Sequence, residues 1–267
     1  MKSRAIAAPY LIWMSVFTVI PLLLVVYFAF TTSDGKPTLS HIVEMSDYMD
    51  VLFRSVGFAF VATVICIVTG FPVAYIISRV MPNKQSTLLM IMILPMWINF
   101  LLRTYAWMTL LDENGLINRF LGLFGIGPFN MLNNSGAVVL GMVYNYLPFM
   151  ILPLYSVMTK IDRSVIEAAQ DLGASNLQVL KNVIIPLSMQ GINTGIITVF
   201  VPSVSTFIIS RMLGGGTNDL IGDIIDAQFL GTSYNPHLGS AMAIVLMVIV
   251  LLIMSIFNQF GSEESVA

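Results

Sequence analysis

The residue types that most often carry enzyme chemistry are scarce in this sequence. It contains one cysteine, Cys66, inside an apolar run, and two histidines, His41 and His237, that are distant in the chain. A zinc site needs three or four converging ligands, and a nucleophilic site needs a base beside the nucleophile. We therefore expect the two histidines to lie far apart without a shared metal, and Cys66 to be a small buried hydrophobic residue. No histidine falls inside an apolar run, which disfavours an intramembrane enzyme.

Sequence patterns for nucleotide binding are missing as well. The glycine run Gly214–Gly216 is not followed by lysine and is read as a flexible turn, while Gly35-Lys36 is followed by Pro37. A P-loop needs G-x-x-x-x-G-K and then serine or threonine, because its backbone amides, lysine and hydroxyl hold phosphate and magnesium. We expect this chain to have no cofactor of its own.

The most informative spacing lies in a polar stretch between two apolar runs, Ile161–Pro186, which we call the polar loop. It reads IDRSVIEAAQDLGASNLQVLKNVIIP. Ser164 is followed three residues later by glutamate, and Ser175 three residues later by glutamine, which is the pattern of a capping box. The loop therefore predicts two helices, one starting at Ser164 and the other at Ser175.

Other residues of the polar loop predict where these helices end. Gly173 sits where the first helix must stop, because glycine enters the left-handed conformation at little cost. Pro186 is expected to break the second helix before the next apolar run. Ala168 and Ala169 leave a small-residue face on the first helix, so the loop should present a shallow exposed surface.

The composition excludes a soluble globular domain. The 267 residues are 57% hydrophobic and 10% charged, with a mean hydropathy of +0.88, whereas about 25% of the residues of soluble domains are charged. The net charge of −2 carries no information about partners. We predict an all-α, polytopic membrane protein, surrounded by lipid and with no nucleic-acid partner.

Six apolar runs reach the roughly 20 residues that a helix needs to cross a bilayer. Helices are expected because backbone groups must be hydrogen-bonded internally within lipid. The first run is read as a retained span, because no small-residue cleavage site follows it. The predicted spans of this single domain (residues 1–267) are Tyr10–Phe30, Ser55–Ser78, Thr87–Leu111, Ala137–Met158, Ser188–Met212 and Leu238–Phe257.

The basic residues predict the orientation of the spans. With the N-terminus inside, the inner side holds Lys2, Arg4, Arg79, Lys84, Lys160, Arg163 and Lys181, and the outer side holds Lys36, Arg54, Arg119 and Arg211. This bias agrees with the positive-inside rule and places the polar loop and both termini in the cytoplasm. Acidic residues concentrate in the outer segments, where they form either a solvated surface or a cation-attracting vestibule.

Two predicted spans carry polar or small residues with a defined spacing. In span three Pro95 is expected to kink the helix, and Asn99 and Arg103 are expected to share a helix face. Arg103 either faces protein or water inside the membrane or snorkels to the outer interface. In span five Gly191 and Gly195 have the G-x-x-x-G spacing. Hydroxyl-bearing and small residues lie on nearly the same side, and this face suits either a subunit interface or a pore wall; they are Thr194, Thr198, Pro202, Ser205 and Thr206.

The polar loop resembles the EAA loop of the membrane subunits of ABC importers. The motif E-A-A, three residues and glycine is followed after nine residues by Val183–Pro186, where valine and isoleucine replace the Ile and Leu of the family pattern. In that family the loop docks into a groove on a cytoplasmic ATPase. The resemblance implies a coupling role for Glu167, Ala168, Ala169, Asp171, Leu172, Gly173, Ala174 and Pro186.

Nearly the whole chain is similar to the permease subunits of spermidine/putrescine ABC importers. The similarity is carried by Pro95–Trp107, Tyr146–Tyr155, Glu167–Ser175 and Gly214–Phe229. It implies the type I importer architecture, in which a six-span permease in the bacterial inner membrane pairs with a second, homologous permease chain. Two copies of an ATPase that bind ATP and magnesium, and an extracytoplasmic polyamine-binding protein, would complete the assembly.

The resemblance also implies a mechanical mechanism. Closure of the ATPase dimer would move the first helix of the polar loop, which would transmit the motion through span five. A polyamine is a flexible polycation, so its route should offer carboxylates, carbonyls and aromatic faces. The candidate route residues, chosen by chemistry and expected position, are Trp97, Asn99, Arg103, Tyr105, Tyr144, Tyr146, Asp219 and Asp223.

Two other kinds of transporter are alternatives to a polyamine importer. An importer permease for an organic or inorganic anion would use Arg103 as its pore charge, although the acidic outer segments would oppose an anion. A secondary transporter would show acidic residues at the centres of its spans and repeat symmetry between its halves. Spans one, two, four, five and six have no acid at their centres, which disfavours the secondary transporter.

Overall fold

The structure is a computed structural model that describes residues 9–231 and 233–262, with side chains up to residue 257. The described residues exclude Lys2 and Arg4, which were used to predict the orientation, and residues 263–267 at the predicted cytoplasmic C-terminus. The described part is helical and contains no β-strand beyond an isolated antiparallel bridge between Thr31 and Pro37. The predicted all-α class is confirmed.

Thirteen helices follow one another in the described part of the chain. They are α1 (Pro9–Ala29), α2 (Ser40–Glu44), α3 (Met49–Arg79), α4 (Pro82–Ile93), α5 (Phe100–Leu111), α6 (Leu116–Gly122), α7 (Ser135–Met158), α8 (Arg163–Asp171), α9 (Asn176–Leu187), α10 (Met189–Val204), α11 (Ile208–Leu213), α12 (Ile221–Leu230) and α13 (Pro236–Ser262).

Four helical segments are long and apolar enough to cross a membrane, and the number rises to six if each of two bent pairs counts as one span. The four are α1, the continuous stretch from α2 to α3, α7, and α13. The bent pairs are α4 with α5, at 87°, and α9 with α10, at 67°. Predicted span three is therefore broken more sharply than the kink expected at Pro95, whereas the second bend lies at Ser188, where predicted span five begins.

The break in the third apolar run lies beyond Pro95. A short 3-10 segment, Leu94–Trp97, carries the proline near its start, and Ile98 then adopts an extended backbone. Asn99 also leaves the helical region and begins α5. Proline is tolerated in the first turn of a helical segment, where its missing N–H costs no hydrogen bond. The predicted kink at Pro95 is thus replaced by a sharp turn three residues later.

The main core forms where α3, α7 and α10 pack together. Met142 and Met150 of α7 are fully buried in the same cluster as Cys66 of α3 and Val199 of α10. The predicted role of Cys66 as a small buried residue is confirmed. A second cluster joins α3, α10, α12 and α13 at the end of the bundle opposite the polar loop.

The glycines of the G-x-x-x-G spacing bring α10 close to α7. A Cβ atom on Gly195 would lie 2.5 Å from Sδ of Met150, and one on Gly191 would lie 3.0 Å from the carbonyl oxygen of Pro153. A side chain at Gly191 would meet the backbone of α7, and one at Gly195 would force the side chain of Met150 to move. These two glycines pack inside the chain, while Thr198 and Pro202 of the same predicted face line the cavity described below.

The two histidines lie next to each other, which corrects the expectation that they would be far apart. The rings of His41 and His237 stack with their centroids 5.6 Å apart. Nδ1 of His237 lies 3.0 Å from the carbonyl oxygen of Phe28, which requires it to carry the proton. The two rings meet because α2 contacts the start of α13. This contact could not be predicted from the sequence, in which the two histidines are almost 200 residues apart. Among the described residues no group of three or more metal-binding side chains is present.

Candidate functional site

The first helix of the polar loop, α8, begins two residues earlier than the capping-box pattern predicts. Asp162 is the N-cap, and its Oδ1 accepts a hydrogen bond from the backbone N–H of Ser164 at 3.1 Å. This bond holds the pKa of Asp162 below its ordinary value of 3.8. The prediction of Ser164 as the cap was wrong, because the aspartate two residues before it supplies the acceptor first.

The end of α8 confirms the predicted glycine stop. Gly173 has a φ of +85°. Its N–H donates to the carbonyl of Gln170 at 2.8 Å, and the N–H of Ala174 donates to the carbonyl of Ala169 at 3.1 Å. This pair of bonds is a Schellman motif, which satisfies carbonyls that the helix end would leave free.

The second helix, α9, starts with the capping box that the sequence predicts. The backbone N–H of Ser175 donates to Oε1 of Gln178 at 2.8 Å, and the N–H of Gln178 donates to Oγ of Ser175 at 3.4 Å. Only one residue, Ala174, separates this box from Gly173. The turn between α8 and α9 is therefore fixed by hydrogen bonds on both sides.

The second helix ends one residue after Pro186, close to the break that the sequence predicts. The chain continues through a π-helical segment, Leu180–Ile184, and past Pro186 to Leu187. The bend into α10 comes at Ser188, whose N–H is shared between the carbonyls of Ile184 and Ile185. The wider π turn offers carbonyls without α-helical partners, and this accommodates the proline ring.

The polar loop exposes apolar side chains that this chain does not cover. Leu172 is 90% exposed and Leu177 is 74% exposed, and α8 has no buried residue. Of the predicted coupling residues, Ala169 and Ala174 are half-buried, and the exposed ones are Glu167, Ala168, Asp171, Leu172, Gly173 and Pro186. Apolar side chains this exposed on a polar loop are left for another component to cover.

A cavity of about 680 Å³ opens on one side of the helix bundle. One wall comes from the turn between α4 and α5, and the opposite wall comes from α10, with α7 between them. Its lining includes Met96, Phe100, Arg103, Asn145, Tyr146, Phe149, Thr198, Val201, Pro202 and Met254. Most of this lining is apolar or aromatic, with four side chains that offer a polar group.

Arg103 lines this cavity. Of the two predicted environments, this position agrees with a side chain that faces protein or water rather than one that snorkels to the outer interface. Its guanidinium lies 5.9 Å from the ring centre of Phe100. Its Nε is buried and has no hydrogen-bond partner among the described residues. Asn99 does not share this face, because it is the N-cap of α5 and its Oδ1 accepts from the N–H of Leu101 at 2.8 Å.

The predicted aromatic residues separate into different surroundings. Tyr146 lines the cavity, and its hydroxyl donates to the carbonyl of Pro202 at 3.3 Å. Tyr144 meets the ring of Trp107 edge to face, with centroids 5.2 Å apart. Trp97 is 74% exposed, and Tyr105 lines a separate recess of about 400 Å³ near the opposite end of the bundle from the polar loop.

The predicted carboxylates lie away from the cavity. Asp223 is buried and accepts hydrogen bonds from Oγ of Ser210 and, at 2.9 Å, from the N–H of Leu220. Burial raises its pKa above the ordinary value. Asp223 thus holds the start of α12, and Asp219 is half-buried in the turn before it. The structure brings only Arg103 and Tyr146 of the eight predicted route residues to the cavity.

Two polar residues of the cavity were missing from the predicted route. Asn145 donates from Nδ2 to the carbonyl of Gly141 at 2.9 Å, but its buried Oδ1 has no partner among the described residues. Thr198 donates from Oγ1 to the carbonyl of Phe149 at 3.0 Å. An asparagine side chain inside a membrane span costs free energy unless its amide has a polar partner. This cost could have identified Asn145 as a functional candidate from the sequence.

The comparisons with known proteins agree with this arrangement. Residues 2–261 match the family described as binding-protein-dependent transport system inner membrane component. The spermidine/putrescine transport system permease protein PotB of Haemophilus influenzae is 37% identical over 257 residues, covering 92% of this chain and 90% of that protein. The Escherichia coli protein of the same name is 36% identical over 255 residues, covering 92% of both chains.

Solved structures of ABC transporters share the fold. A chain of a bacterial ABC transporter involved in the import of the acidic polysaccharide alginate superposes with a TM-score of 0.78 and 18% identity, covering 97% of this chain and 94% of that one. A chain of the inward-facing MetNI methionine ABC transporter gives a TM-score of 0.60 with 17% identity, covering 83% and 97%. At these identities the likeness concerns the fold alone. The family match spans almost the entire sequence, and the chain therefore belongs to the binding-protein-dependent transport system inner membrane components.

Proposed function

We propose that this chain is a membrane-spanning permease subunit of an ATP-driven importer of polyamines. The observation that carries the proposal is the 36–37% identity, over 92% of the chain, to permease proteins of spermidine/putrescine transport systems. The chain would form half of the translocation pathway. It is a transport subunit and not an enzyme, so hydrolysis of ATP belongs to another subunit.

The proposed assembly contains three further kinds of protein. A second, homologous permease would close the open side of the cavity, and two copies of a cytoplasmic ATPase would bind ATP and magnesium. An extracytoplasmic polyamine-binding protein would deliver the solute. In this arrangement the chain crosses the bacterial inner membrane six times with both termini in the cytoplasm, which puts the polar loop on the ATPase side.

The polar loop is proposed to be the ATPase contact. Leu172 and Leu177 expose apolar surface next to the rigid turn at Gly173, and this suits insertion into a groove on a partner. The Schellman motif and the following capping box prevent α8 and α9 from moving independently. A displacement of α8 by the ATPase would then reach α10 through α9.

The cavity is proposed to be part of the solute route. The rings of Phe100, Tyr146 and Phe149 and the free Oδ1 of Asn145 are groups that attract ammonium cations. The guanidinium of Arg103 opposes a cation and favours a second candidate, an importer permease for an anionic solute. The two candidates differ in solute and share the same architecture.

Reconstitution tests both candidates. The chain would be purified with its second permease and ATPase, placed in proteoliposomes and supplied with its binding protein. We expect spermidine or putrescine to stimulate ATP hydrolysis and to be taken up, while organic and inorganic anions do neither. Stimulation by anions alone would replace the polyamine proposal by the second candidate. Failure of any ATPase to co-purify would contradict the permease proposal itself.

A further inference from the structure

Arg79, the last residue of α3, holds the end of α7 at the base of the polar loop. Its Nη1 donates to the carbonyl of Ile161 at 3.0 Å, and its Nη2 donates to the carbonyl of Met158 at 3.4 Å. The carbonyl of Met158 belongs to the last residue of α7, where a positive charge is favoured, and the carbonyl of Ile161 lies three residues beyond the helix. A single guanidinium thus joins two helices that are distant in sequence.

The first residue of α8 makes the reciprocal contact. Arg163 donates from Nη2 to the carbonyl of Arg79 at 3.0 Å. The end of α3 therefore gives a side chain to the segment before α8 and receives one from α8 itself. Each segment therefore donates a hydrogen bond to the other. A shift of α8 relative to α3 would either break these hydrogen bonds or move the end of α3 with it.

Gln85 of α4 extends the contact to a third helix. Its Nε2 donates to the carbonyls of Ser78 at 3.2 Å and Val80 at 2.8 Å, both at the end of α3. Its Oε1 accepts a hydrogen bond from the hydroxyl of Tyr155 of α7 at 2.8 Å. The side chain of Gln85 thus uses both ends of its amide to fix α4 against α3 and α7.

We propose that Arg79, Gln85, Tyr155 and Arg163, which we call the clamp, are positioning residues that carry motion of α8 to the α4–α5 wall of the cavity. This inference rests on the proposed function, in which an ATPase displaces α8. The chain then has two connections between the polar loop and the cavity. One runs along α9 into α10, and the other runs through the clamp into α4.

The two connections end on opposite walls of the cavity. Thr198 and Val201 lie on α10, while Met96 and Arg103 lie beyond α4 on the other side. A displacement of α8 that moved only α10 would tilt one wall. A displacement carried by both connections moves the two walls together, which is what an alternating pathway requires. The mechanism predicted from sequence assigned this role to span five alone, and the clamp adds the second wall.

The geometry of the clamp requires arginine at position 79. A planar guanidinium reaches two carbonyls in fixed directions, whereas an ammonium group is a single point charge on a flexible stem. Arg79→Lys therefore retains the charge and loses the fork. Tyr155→Phe is a milder change that removes only the hydrogen bond to Gln85. Lys84→Gln is the matched control, because Lys84 lies exposed on α4 beside Gln85 and outside the clamp.

The test measures solute taken up per ATP hydrolysed, in proteoliposomes that contain the complete transporter and its binding protein. We expect Arg79→Lys and Tyr155→Phe to retain ATP hydrolysis and to lower this ratio at least about fivefold, the lower end of usual allosteric coupling. Lys84→Gln should match the wild type. The double variant Arg79→Lys/Arg163→Lys should be no worse than the more impaired single variant, because both residues act in one connection.

The possible outcomes separate the clamp from the proposed function. A wild-type complex without polyamine uptake would overturn the proposed function before any variant is compared. An unchanged ratio in both clamp variants of a working complex would overturn the clamp, and so would a proportional fall of uptake and hydrolysis, which indicates poor assembly only. If Arg79→Lys fails to insert, the ratio of Tyr155→Phe decides the outcome.

Discussion

The ends of α8 are fixed by single residues whose roles differ in kind. Asp162 contributes an acceptor and a negative charge at the start of the helix, where both are favourable. Gly173 contributes a backbone conformation at the end, with no side chain involved. A helix of nine residues is marginal by itself, so its rigidity in the polar loop depends on these two caps.

Substitution of Gly173 tests the conformational cap. A Cβ atom at this position would meet nothing within 4 Å, so the cost of a side chain comes from φ alone. Left-handed backbone costs a non-glycine residue about 1–2 kcal/mol. We expect Gly173→Ala to lower solute uptake while membrane insertion stays normal, and Gly173→Trp to do so more strongly. Gly173→Asn is the control, because asparagine tolerates the left-handed region. Normal uptake by a well-expressed Gly173→Trp variant would contradict the coupling role of this turn.

The cap at Asp162 predicts a pH dependence. The folded protein lowers the pKa of this carboxyl, so its stabilising effect is complete above the ordinary value of 3.8 and is lost as the pH falls through the lowered value. We expect hydrogen exchange in residues 163–171, relative to unstructured chain at the same pH, to accelerate in that acidic range. Asp162→Asn retains an acceptor without the titration, so its protection should not change with pH in this way. Equal pH profiles for the two proteins would refute the assignment.

Several residues whose chemistry suggested contact with solute are used to cap helices. Asn99 caps α5, and Asp223 holds the start of α12 through the N–H of Leu220. The position of these side chains near the ends of apolar runs was predictable from the sequence. Their use was not, because a capping residue and a ligand-binding residue can be of the same type and differ only in the backbone geometry around them.

At the scale of elements, hydrophobic run length predicted where helices lie better than where they break. The runs at α1, α7 and α13 agree with the helices within a few residues. The bend at Ser188 lies within two residues of the break predicted at Pro186, whereas the break at Ile98 follows a 3-10 segment that local sequence does not specify. The Gly173 turn and the Ser175 capping box were predictable because each is a short-range hydrogen-bond pattern with a defined residue set.

The contact between α7 and α10 supplies a prediction about packing. Replacement of Gly195 by valine would drive side-chain atoms into Met150, and overpacking of this kind costs about 1–3 kcal/mol. We expect Gly195→Val to lower the temperature of thermal unfolding in detergent and the yield of intact complex. Gly57→Ala is the matched control, because a Cβ at Gly57 of α3 meets nothing within 4 Å. An unchanged unfolding temperature for Gly195→Val would show that α7 and α10 do not approach as described.

At the scale of the whole molecule, large apolar and polar surfaces are left for other components. Only Ala29 is buried in α1, and the main neighbour of this helix is α13. The cavity is open on one side, and the leucines of the polar loop are uncovered. A soluble monomer rarely exposes so much apolar surface. Lipid, a second permease and an ATPase account for these three surfaces in the proposed assembly.

The last prediction concerns the charge of Arg103 and depends on the whole assembly. The guanidinium repels a cationic solute and attracts an anionic one, so the effect of removing it depends on the solute. For a polycation in the cavity, the guanidinium is an obstacle, and charges a few ångströms apart in water interact by about 1 kcal/mol. We expect Arg103→Gln to maintain spermidine uptake or raise it up to about fivefold, the factor that this energy allows. Arg103→Lys retains the charge and should behave as the wild type. For an anionic solute the same guanidinium is an attraction, so Arg103→Gln would abolish uptake of that anion. Loss of spermidine uptake in a stable, ATP-hydrolysing Arg103→Gln complex would mean instead that the guanidinium organises the cavity, for example by holding a carboxylate of the second permease against it.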